Sequence, residues 1–297
     1  CDLRLNESEF KPTQEKLKLM AKLSNAMITY LSDKIDANVI DAGENLKIIS
    51  NYAAGFSNVD YEHAGKRGIW VTNTPGVLHE TTADLTWAMM LSAARRIVPA
   101  DQFTREDKFR GWEANLFLGH DVYGKTLGIV GCGEIGQAVA KRAMGFDMRV
   151  LYYQRNQLEK FKENSLNLKY VSFKTLVEQS DFITLHLPLN ADSNYLFGVE
   201  EFRLMKSTAV FINTARGKIV DDKALLEAVR NSDIAAAALD VYENEPKIVK
   251  GLLNEENILV LPHIGSASYE TRDRMAVLVA HNILDVLDGK KPRSAIN

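Results

Sequence analysis

One stretch near the middle of the chain constrains its fold more than any other. Residues 126–130 form a short apolar run typical of a buried parallel strand, and residues 148–153 form a second β-like run. Between them, Gly131, Gly133 and Gly136 have the spacing G-x-G-x-x-G, and apolar residues then recur every four positions, as on one face of a helix. A strand, a glycine-rich turn, a helix and a second strand in this order predict a dinucleotide-binding unit.

The three glycines suit three different tasks in such a unit. The first allows a tight turn, the second lets backbone amides approach a pyrophosphate, and the third lets the helix pack closely on the strand. The amides and the helix dipole then favour phosphate groups at the helix N-terminus. We expect this helix to end at Gly145. The alternative interpretation is a tight turn between strand and helix that binds no ligand.

The end of the second strand bears on the choice of dinucleotide. NAD-binding domains usually carry Asp or Glu there, which binds the ribose 2′-hydroxyl, whereas this chain has Gln154 and Arg155. Because the chain has no carboxylate at that point, a 2′-phosphate would not be repelled there, and the guanidinium of Arg155 can pair with it. We therefore expect NADP(H) to be preferred over NAD(H). The alternative is a solvated arginine at a strand end.

Composition excludes several other classes of protein. Charged residues make up 25% of the 297 residues, the net charge is -3 and the two signs are interspersed, so we expect neither nucleic acid nor an anionic membrane as a partner. No apolar run is long enough to span a membrane. The two cysteines, Cys1 and Cys132, lack metal-ligand spacing, and they favour a reducing, cytoplasmic location over a disulfide framework. We predict no metal site.

The first residue of the chain is Cys1 rather than Met. One interpretation is a cysteine that is lipidated after removal of a signal peptide. We favour a second interpretation, in which the first residues of the gene product are missing, because residues 1–5 already look like a strand.

Strand-like and helix-like segments alternate through the first third of the chain. Strands are predicted at residues 26–30, 46–50 and 69–72, and helices at residues 35–42 and 59–66. This alternation is typical of a small parallel α/β unit.

The rest of the chain repeats the alternation after a linking region. A helical pattern covers residues 82–97, and Pro99 marks a kink or a restart, so we take this region as the bridge between two domains. Beyond the glycine-rich unit, strands are predicted at 181–187, 209–213, 235–240 and 258–261, and helices at 199–205 and 222–230.

The last predicted helix, residues 269–288, has Ser268 as its N-cap and Gly289 at its end. Because it follows the dinucleotide-binding domain, we expect it to return to the first domain. The predicted fold class is α/β, with two Rossmann-like or flavodoxin-like parallel-sheet domains. An NAD(P)-binding Rossmann domain of residues 95–265 is then inserted into a substrate (catalytic) domain split between residues 1–94 and 266–297.

Two loops are candidate contact sites. Residues 51–56 lie at the carboxyl end of a predicted strand, where open α/β sheets bind ligands. The amides of Ala54 and Gly55 have no bulky side chains beside them and could bind a substrate carboxylate, although such a loop can also be an ordinary turn. Residues 111–119 are irregular and poor in polar side chains, so they could pack on a second subunit or serve as an intramolecular lid.

Three polar residues follow predicted strands of the second domain and carry the predicted chemistry. Arg216, Glu245 and His263 come after neighbouring strands, whose carboxyl ends face the same crevice as the glycine turn. Arg216 would bind a substrate carboxylate and polarise the adjacent carbonyl. His263 would exchange a proton with the carbonyl oxygen during hydride transfer, and Glu245 would orient the ring and favour its protonated form. Taken singly, His263 could be a capping or packing residue, Glu245 could belong to an ordinary turn, and Arg216 could be a surface arginine.

Several segments together resemble the D-isomer-specific 2-hydroxyacid dehydrogenases, and most of all the glyoxylate/hydroxypyruvate reductases. The resemblance covers essentially the whole chain. It is carried by GIVGCGEIG at 128–136, HLPL at 186–189, INTARGKIVD at 212–221, ALDVYENEP at 238–246, LPHIGSAS at 261–268 and NTPGVLHETTADLTWAMML at 73–91.

The resemblance implies roles for residues throughout the predicted site. It implies the catalytic set Arg216, Glu245 and His263, and a substrate carboxylate loop at Ala54 and Gly55. For the cofactor, it implies Glu134 and Ile135 beside the pyrophosphate, and Pro188, Thr214 and Asp240 along the nicotinamide, with Asp240 near the carboxamide. It also implies a homodimer with the cofactor domain inserted into a split substrate domain.

Two departures from the family pattern bear on these expectations. The family's first strand is absent, which supports missing N-terminal residues, and Gln154 with Arg155 replaces the acid of NAD-preferring members. The sequence therefore predicts NAD(P)H-dependent reduction of a small 2-keto acid, glyoxylate or hydroxypyruvate, to the D-2-hydroxy acid, with His263 as general acid/base. Two alternatives stay open: another dehydrogenase of the family, of D-lactate or phosphoglycerate type, and a dinucleotide-sensing protein like the family's corepressors.

Overall fold

A computed structural model describes residues 2–6 and 10–297 of the chain. The chain divides into two compact units, the first made of Cys1–Leu78 with Ala267–Asn297 and the second of His79–Ser266. The strands, in chain order, are β1 (Ala26–Thr29), β2 (Ile48–Asn51), β3 (Trp70–Thr72), β4 (Thr126–Val130), β5 (Arg149–Tyr153), β6 (Leu168–Tyr170), β7 (Phe182–Leu185), β8 (Val210–Asn213), β9 (Ala236–Leu239) and β10 (Ile258–Val260).

The helices surround these strands in both units. They are α1 (Gln14–Lys22), α2 (Ala37–Ala42), α3 (Tyr61–Lys66), α4 (His79–Ala94), α5 (Ile97–Arg105), α6 (Glu134–Ala143), α7 (Lys160–Ser165), α8 (Phe173–Gln179), α9 (Val199–Leu204), α10 (Asp222–Arg230), α11 (Lys250–Leu253) and α12 (Tyr269–Leu287). None of the helices in the described ranges is long and apolar enough to cross a membrane.

The first unit contains a three-stranded parallel sheet in the order β1-β2-β3. Its core is formed by buried aliphatic side chains of the strands and flanking helices, including Ile40, Ile49 and Val71. The hydroxyl of Ser268 accepts a hydrogen bond from the amide of Thr271 and so caps α12, and Gly289 follows the helix with φ of 78°. The expected N-cap and helix end are confirmed, and α12 packs on β2 within this unit.

The second unit contains a seven-stranded parallel sheet in the order β10-β9-β8-β7-β4-β5-β6. The chain order reverses between β4 and β7, and ligands bind outside the carboxyl ends of the strands at such a point. Neighbouring residues of one strand belong to different apolar clusters: Ile183 packs in one and Phe182 in the other. Since successive strand residues face opposite sides of a sheet, the two clusters cover its two faces.

Side-chain contacts with α6 place the helix α4 in the second unit. The indole N–H of Trp87 donates to the carbonyl of Val139 on α6 at 3.1 Å. The guanidinium of Arg142, also on α6, lies 2.6 Å from the carboxylate of Asp84. The boundary expected after residue 94 therefore differs from the boundary of the compact units by this one helix.

A restart of the helix at Pro99 is confirmed. Arg96 adopts a left-handed conformation with φ of 52° between α4 and α5, and this conformation separates the two helices. Pro99 then lies in the first turn of α5, where its missing N–H removes no intrahelical hydrogen bond.

Several expectations about local structure were wrong. Residues 2–5 form no strand, and Cys1 lies outside the described residues. The helix α6 ends at Ala143 and continues as a 3₁₀ turn through Gly145, and Asp147 rather than glycine takes the left-handed position, with φ of 49°. The edge strand β6 and the helices α1, α7, α8 and α11 were not predicted.

A buried carboxylate organises the loop that follows β5. Glu163 on α7 accepts hydrogen bonds from the Nζ of Lys160 at 2.7 Å, the hydroxyl of Tyr152 at 2.7 Å and the side-chain amide of Gln157 at 2.8 Å. These hydrogen bonds lower the pKa of Glu163 to about 2, and the bond from Lys160 has the largest effect. The charged carboxylate therefore stabilises the fold at neutral pH.

We predict that Glu163→Gln lowers the melting temperature at pH 7. Because the pKa is lower in the folded state, the contribution is present above the ordinary carboxyl pKa of about 4.5 and is lost as the pH falls toward 2. The difference between variant and wild type, measured by thermal melts, should therefore narrow between pH 5 and pH 3. Glu178→Gln, which changes an exposed carboxylate on α8, serves as control. A wild-type melting temperature for Glu163→Gln at pH 7 would contradict this account.

Candidate active site

The glycine turn between β4 and α6 is tightly packed on one side and open on the other. Gly131 has φ of 90°, and a β-carbon there would lie 2.6 Å from the carbonyl oxygen of His186. A β-carbon at Gly136 would lie 2.4 Å from the carbonyl oxygen of Gly131. A β-carbon at Gly133 would meet no atom within 4 Å among the described residues other than its chain neighbours. The open space beside the second glycine is where a pyrophosphate would approach the backbone.

The N-terminus of α6 faces this open space without a capping side chain. Its N-cap residue is Gly133, which has no side chain that could accept from the amides of the first turn. The uncapped amides and the helix dipole favour an anion at this point. Glu134 at the start of the helix is exposed, and Ile135 packs partly against the apolar core.

At the end of β5, Gln154 bridges two loops with its side chain. Its Oε1 accepts from the amide of Cys132 at 3.1 Å, and its Nε2 donates to the carbonyl of Asn156 at 2.6 Å. Both ends of this side chain are thus engaged within the protein. The next residue, Arg155, is exposed and pairs with the carboxylate of Asp192 at 3.1 Å.

The predicted catalytic residues lie at one edge of the seven-stranded sheet. Arg216 follows β8, Glu245 follows β9 and His263 follows β10, and these three strands are neighbours. The Nδ1 of His263 lies 2.8 Å from the Oε2 of Glu245. The Oε1 of Glu245 accepts from the amide of Tyr242 at 3.0 Å, so both carboxylate oxygens have partners.

Electrostatics keep Glu245 ionised. Burial by itself would raise its pKa, but the hydrogen bond and charge of His263, the amide of Tyr242 and the charge of Arg216 outweigh burial and lower the pKa. A carboxylate bonded to Nδ1 holds the imidazole in one orientation and leaves Nε2 as the nitrogen that can exchange a proton with a ligand.

Arg216 is a half-buried cation with a fixed backbone. Burial lowers the pKa of its guanidinium, against the opposing effect of the Glu245 carboxylate. Its Nη1 donates to the carbonyl of Ala215 at 2.6 Å. The side chain of Asn213 accepts from the amide of Ala215 and donates to the carbonyl of Arg216, both at 3.0 Å, and so holds the turn after β8.

The backbone of His263 is in a conformation that favours glycine. Its φ is 56°, and a residue with a β-carbon is strained there by an order of 1–3 kcal/mol. The following amide, that of Ile264, donates to Oδ1 of Asp240 at 2.7 Å, which helps to hold the turn. Such strain concentrates at functional sites, because the surrounding structure must be built to maintain it.

Asp240 has an oxygen that needs a donor. Burial raises the pKa of this carboxyl group, and its Oδ2 is buried without a hydrogen-bond partner in the part of the chain that the structure describes. An amide N–H of a bound nicotinamide would satisfy this oxygen. Together with the open space at Gly133, Asp240 shows that the residues of this unit fit a nicotinamide dinucleotide.

Two other predicted cofactor residues lie at the same sheet edge. Thr214 is buried directly after β8, and its hydroxyl lies 3.1 Å from the hydroxyl of Thr86 on α4. Pro188 is exposed in the loop after β7, and its carbonyl accepts from the hydroxyl of Ser193 at 2.7 Å.

The predicted substrate loop belongs to the first unit and follows β2. Ala54 and Gly55 are half-buried there, as is Phe56. None of their three backbone amides has a hydrogen-bond acceptor within the described ranges. Backbone amides without acceptors are donors that an anion can use.

Comparison with known proteins decides the family. The model of the family described as D-isomer specific 2-hydroxyacid dehydrogenase, NAD binding domain, matches residues 87–265. The chain is 47% identical to a glyoxylate reductase of Korarchaeum cryptofilum (strain OPF8) over 298 residues, which cover 100% of this chain and 90% of that protein. The chain belongs to the D-isomer specific 2-hydroxyacid dehydrogenase family.

Other members of the family are similar in sequence and structure. A glyoxylate reductase of Thermococcus kodakarensis is 49% identical over 277 residues, which cover 92% of this chain and 83% of that protein. The crystal structure of an NADPH-dependent glyoxylate/hydroxypyruvate reductase from Sinorhizobium meliloti, in complex with NADP and malonate, matches with a TM-score of 0.85 and 31% identity. That match covers 93% of this chain and 87% of the other.

This dehydrogenase is therefore an NAD(P)-dependent oxidoreductase that acts on a small 2-keto or 2-hydroxy acid. The predictions of family, fold class and enzyme type are confirmed.

Sequence reasoning missed three features of the dehydrogenase's site. The pairing of Asp192 with Arg155 had no signal, because 37 residues separate them. Gly217 was not singled out, although a β-carbon there would lie 1.8 Å from the carbonyl oxygen of Tyr242, so only glycine lets the two turns meet. The third feature is the unpaired amide of Phe56 in the substrate loop. The sequence carries no signal for it, because it depends on the directions of the neighbouring carbonyl groups in the folded chain.

Proposed function

We propose that this dehydrogenase reduces glyoxylate or hydroxypyruvate, with the second unit binding the dinucleotide and the first unit binding the acid. The observation that supports the reaction most directly is the 2.8 Å hydrogen bond between His263 and an ionised Glu245. When bound, a reduced nicotinamide supplies the hydride. The products are the 2-hydroxy acid, in its D form where the carbon becomes chiral, and the oxidised cofactor.

The protein's own groups handle the proton and the charge. His263 donates a proton to the carbonyl oxygen of the keto acid as the hydride reaches the carbon, and takes it back in the reverse direction. Glu245 orients the ring through its hydrogen bond with Nδ1, which leaves Nε2 to exchange the proton. Arg216 binds the substrate carboxylate and polarises the adjacent carbonyl, and the amides of Ala54 and Gly55 are the substrate-binding groups of the first unit.

The cofactor contacts proposed for the second unit follow the same geometry. Gly131, Gly133 and Gly136 shape the turn for the pyrophosphate, and Glu134 and Ile135 begin the helix beside it. Asp240 would accept from the carboxamide, and Pro188 and Thr214 would lie along the nicotinamide.

We predict that His263→Ala lowers kcat for glyoxylate reduction by about a hundredfold or more, because general acid catalysis is lost. Binding of the reduced dinucleotide, measured by its fluorescence, should stay within about twofold, since the side chain is proposed to act on the carbonyl. His120→Ala, at an exposed position, is the matched control. Turnover close to wild type in His263→Ala would remove this residue from its role.

The choice of substrate rests mainly on the relatives. The proteins of Korarchaeum cryptofilum and Thermococcus kodakarensis are named glyoxylate reductases. A phosphorylated substrate would call for basic residues beside the substrate loop. Residues 51–57 contain none, but the guanidinium of Arg272 lies over the ring of Tyr52 at 5.8 Å, so this argument counts only weakly against a phosphate. A dinucleotide-sensing protein would bind the cofactor and show little turnover.

NADP(H) is the proposed cofactor, on the basis of Arg155. The guanidinium lies at the strand end where a 2′-phosphate would be placed, and the relative from Sinorhizobium meliloti is named as NADPH-dependent. The ion pair with Asp192 opposes this preference in part, because it already neutralises the guanidinium. Both side chains are exposed, so this pair is weak and a phosphate can compete for the arginine.

We predict that Arg155→Ala weakens NADPH binding by about tenfold and changes NADH binding by about twofold or less, because only NADPH carries the phosphate that the guanidinium pairs with. Dissociation constants from nicotinamide fluorescence give both values. Arg149→Ala, at the other end of β5, controls for loss of a surface cation. Equal weakening of both cofactors in Arg155→Ala would contradict the proposed preference.

A homodimer is proposed from the apolar surface around residues 111–119. Trp112 is 87% exposed and Leu118 65% exposed, while Phe117 between them packs edge-on against Phe103 of α5. A segment that is anchored on one side and presents large apolar side chains on the other is typical of a subunit contact.

The cysteine usage supports a cytoplasmic location.

A further inference from the structure

The substrate loop of the first unit is held by hydrogen bonds to three successive carbonyl groups. The carbonyl of Ala53 accepts from the amide of Thr74 at 2.9 Å. The carbonyl of Ala54 accepts from the side-chain Nδ2 of Asn73 at 2.7 Å, and that of Gly55 from the Nδ2 of Asn51 at 2.8 Å. Two of the three donors are thus asparagine side chains.

These bonds determine the direction of the amides that follow. In a trans peptide the carbonyl of one residue and the N–H of the next point in opposite directions, and these peptides are trans. Each donor on the carbonyls of Ala53, Ala54 and Gly55 therefore turns the amide of the next residue away from that donor. None of these three amides has an acceptor in the described part of the chain.

Asn51 is itself held from behind. It is fully buried, and its Oδ1 accepts from the hydroxyl of Thr29 at 2.9 Å and from the side chain of Asn58 at 3.2 Å. These partners fix the plane of the amide group, so Nδ2 must point toward the carbonyl of Gly55.

Asn73 is held by the C-terminal part of the same unit. Its backbone carbonyl accepts from the hydroxyl of Ser294 at 2.7 Å, and that hydroxyl accepts from the side chain of Asn282 at 2.8 Å. Asn282, on α12, is fully buried. The returning helix thereby fixes the backbone that carries the donor to Ala54.

We infer that Asn73 and Asn51 are positioning residues that aim the amides of Ala54, Gly55 and Phe56 at the substrate carboxylate. This inference rests on the proposed function of the loop. A carboxylate accepts readily from several backbone amides at once, and amides that are already oriented need no reordering when it binds. Without the side-chain donors, the peptides after Ala54 and Gly55 are free to rotate, and the amides then turn away from the carboxylate.

The test is Asn73→Leu, which keeps about the same size but removes the donor. We expect KM for glyoxylate and the inhibition constant of oxalate, a carboxylate that cannot be reduced, to rise together by about tenfold. The kcat value should change by about threefold or less and NADPH binding should not change, because neither depends on the loop amides. Asn25→Leu is the matched control, since its side chain also donates to a backbone carbonyl, that of Asn45 at 3.3 Å, away from the loop.

Each outcome separates this inference from the proposed function. Unchanged KM and oxalate inhibition in a folded, active Asn73→Leu overturns the inference alone, as does a parallel loss of kcat, NADPH binding and melting temperature. If Asn73→Leu does not fold, Asn73→Ala gives the same readouts with less steric change. A wild-type enzyme that reduces no 2-keto acid and is not inhibited by oxalate overturns both.

Discussion

The parallel direction of the seven strands is the constraint on which the rest of the second unit depends. Because the strands run the same way, the loops after β4, β5, β7, β8, β9 and β10 all leave at one edge. The glycine turn, Arg216, Glu245 and His263 therefore lie along one edge of the sheet, although more than a hundred residues separate the first from the last in the sequence. The chemistry of the site follows from this placement together with a few short turns.

The polar groups of the protein fall into two kinds, and the difference marks the candidate sites. Glu163 is buried and accepts from three donors, so it serves the fold and has little left to offer a ligand. In contrast, Oδ2 of Asp240 and the amides of residues 54–56 lack partners in the described part of the chain. An unpaired buried oxygen costs free energy, so the Oδ2 of Asp240 is consistent with a ligand that completes it, and the half-buried amides of residues 54–56 are donors that a ligand can use.

Much of the fold could be predicted from the sequence because its signals are local. The glycine spacing at 131–136 and the apolar runs of β4 and β5 depend on residues close together in the chain. The edge strand β6 has three residues, which is too short for a periodic pattern, and it was missed. The end of α6 was misplaced because the chain turns at Asp147, and nothing in the sequence favours a left-handed aspartate over the nearby Gly145.

Contacts between residues that are far apart in the sequence limit how much of the site could be predicted. The sequence motifs indicated Arg216, Glu245 and His263, but not the hydrogen bond from Asn73 to Ala54 or the pairing of Arg155 with Asp192. The assignment of α4 to the second unit likewise depends on Trp87 meeting a carbonyl of α6. Side-chain directions and long-range partners of this kind are properties of the folded chain.

The most direct test of the account is the absorbance of the reduced nicotinamide. Glyoxylate, hydroxypyruvate and pyruvate would each be mixed with the enzyme and either NADPH or NADH, and the loss of absorbance followed with time. We expect fast oxidation of NADPH by glyoxylate or hydroxypyruvate, and slower oxidation with pyruvate or NADH. No oxidation with any pair, from a protein that still binds the dinucleotide, would contradict this expectation and favour a sensor.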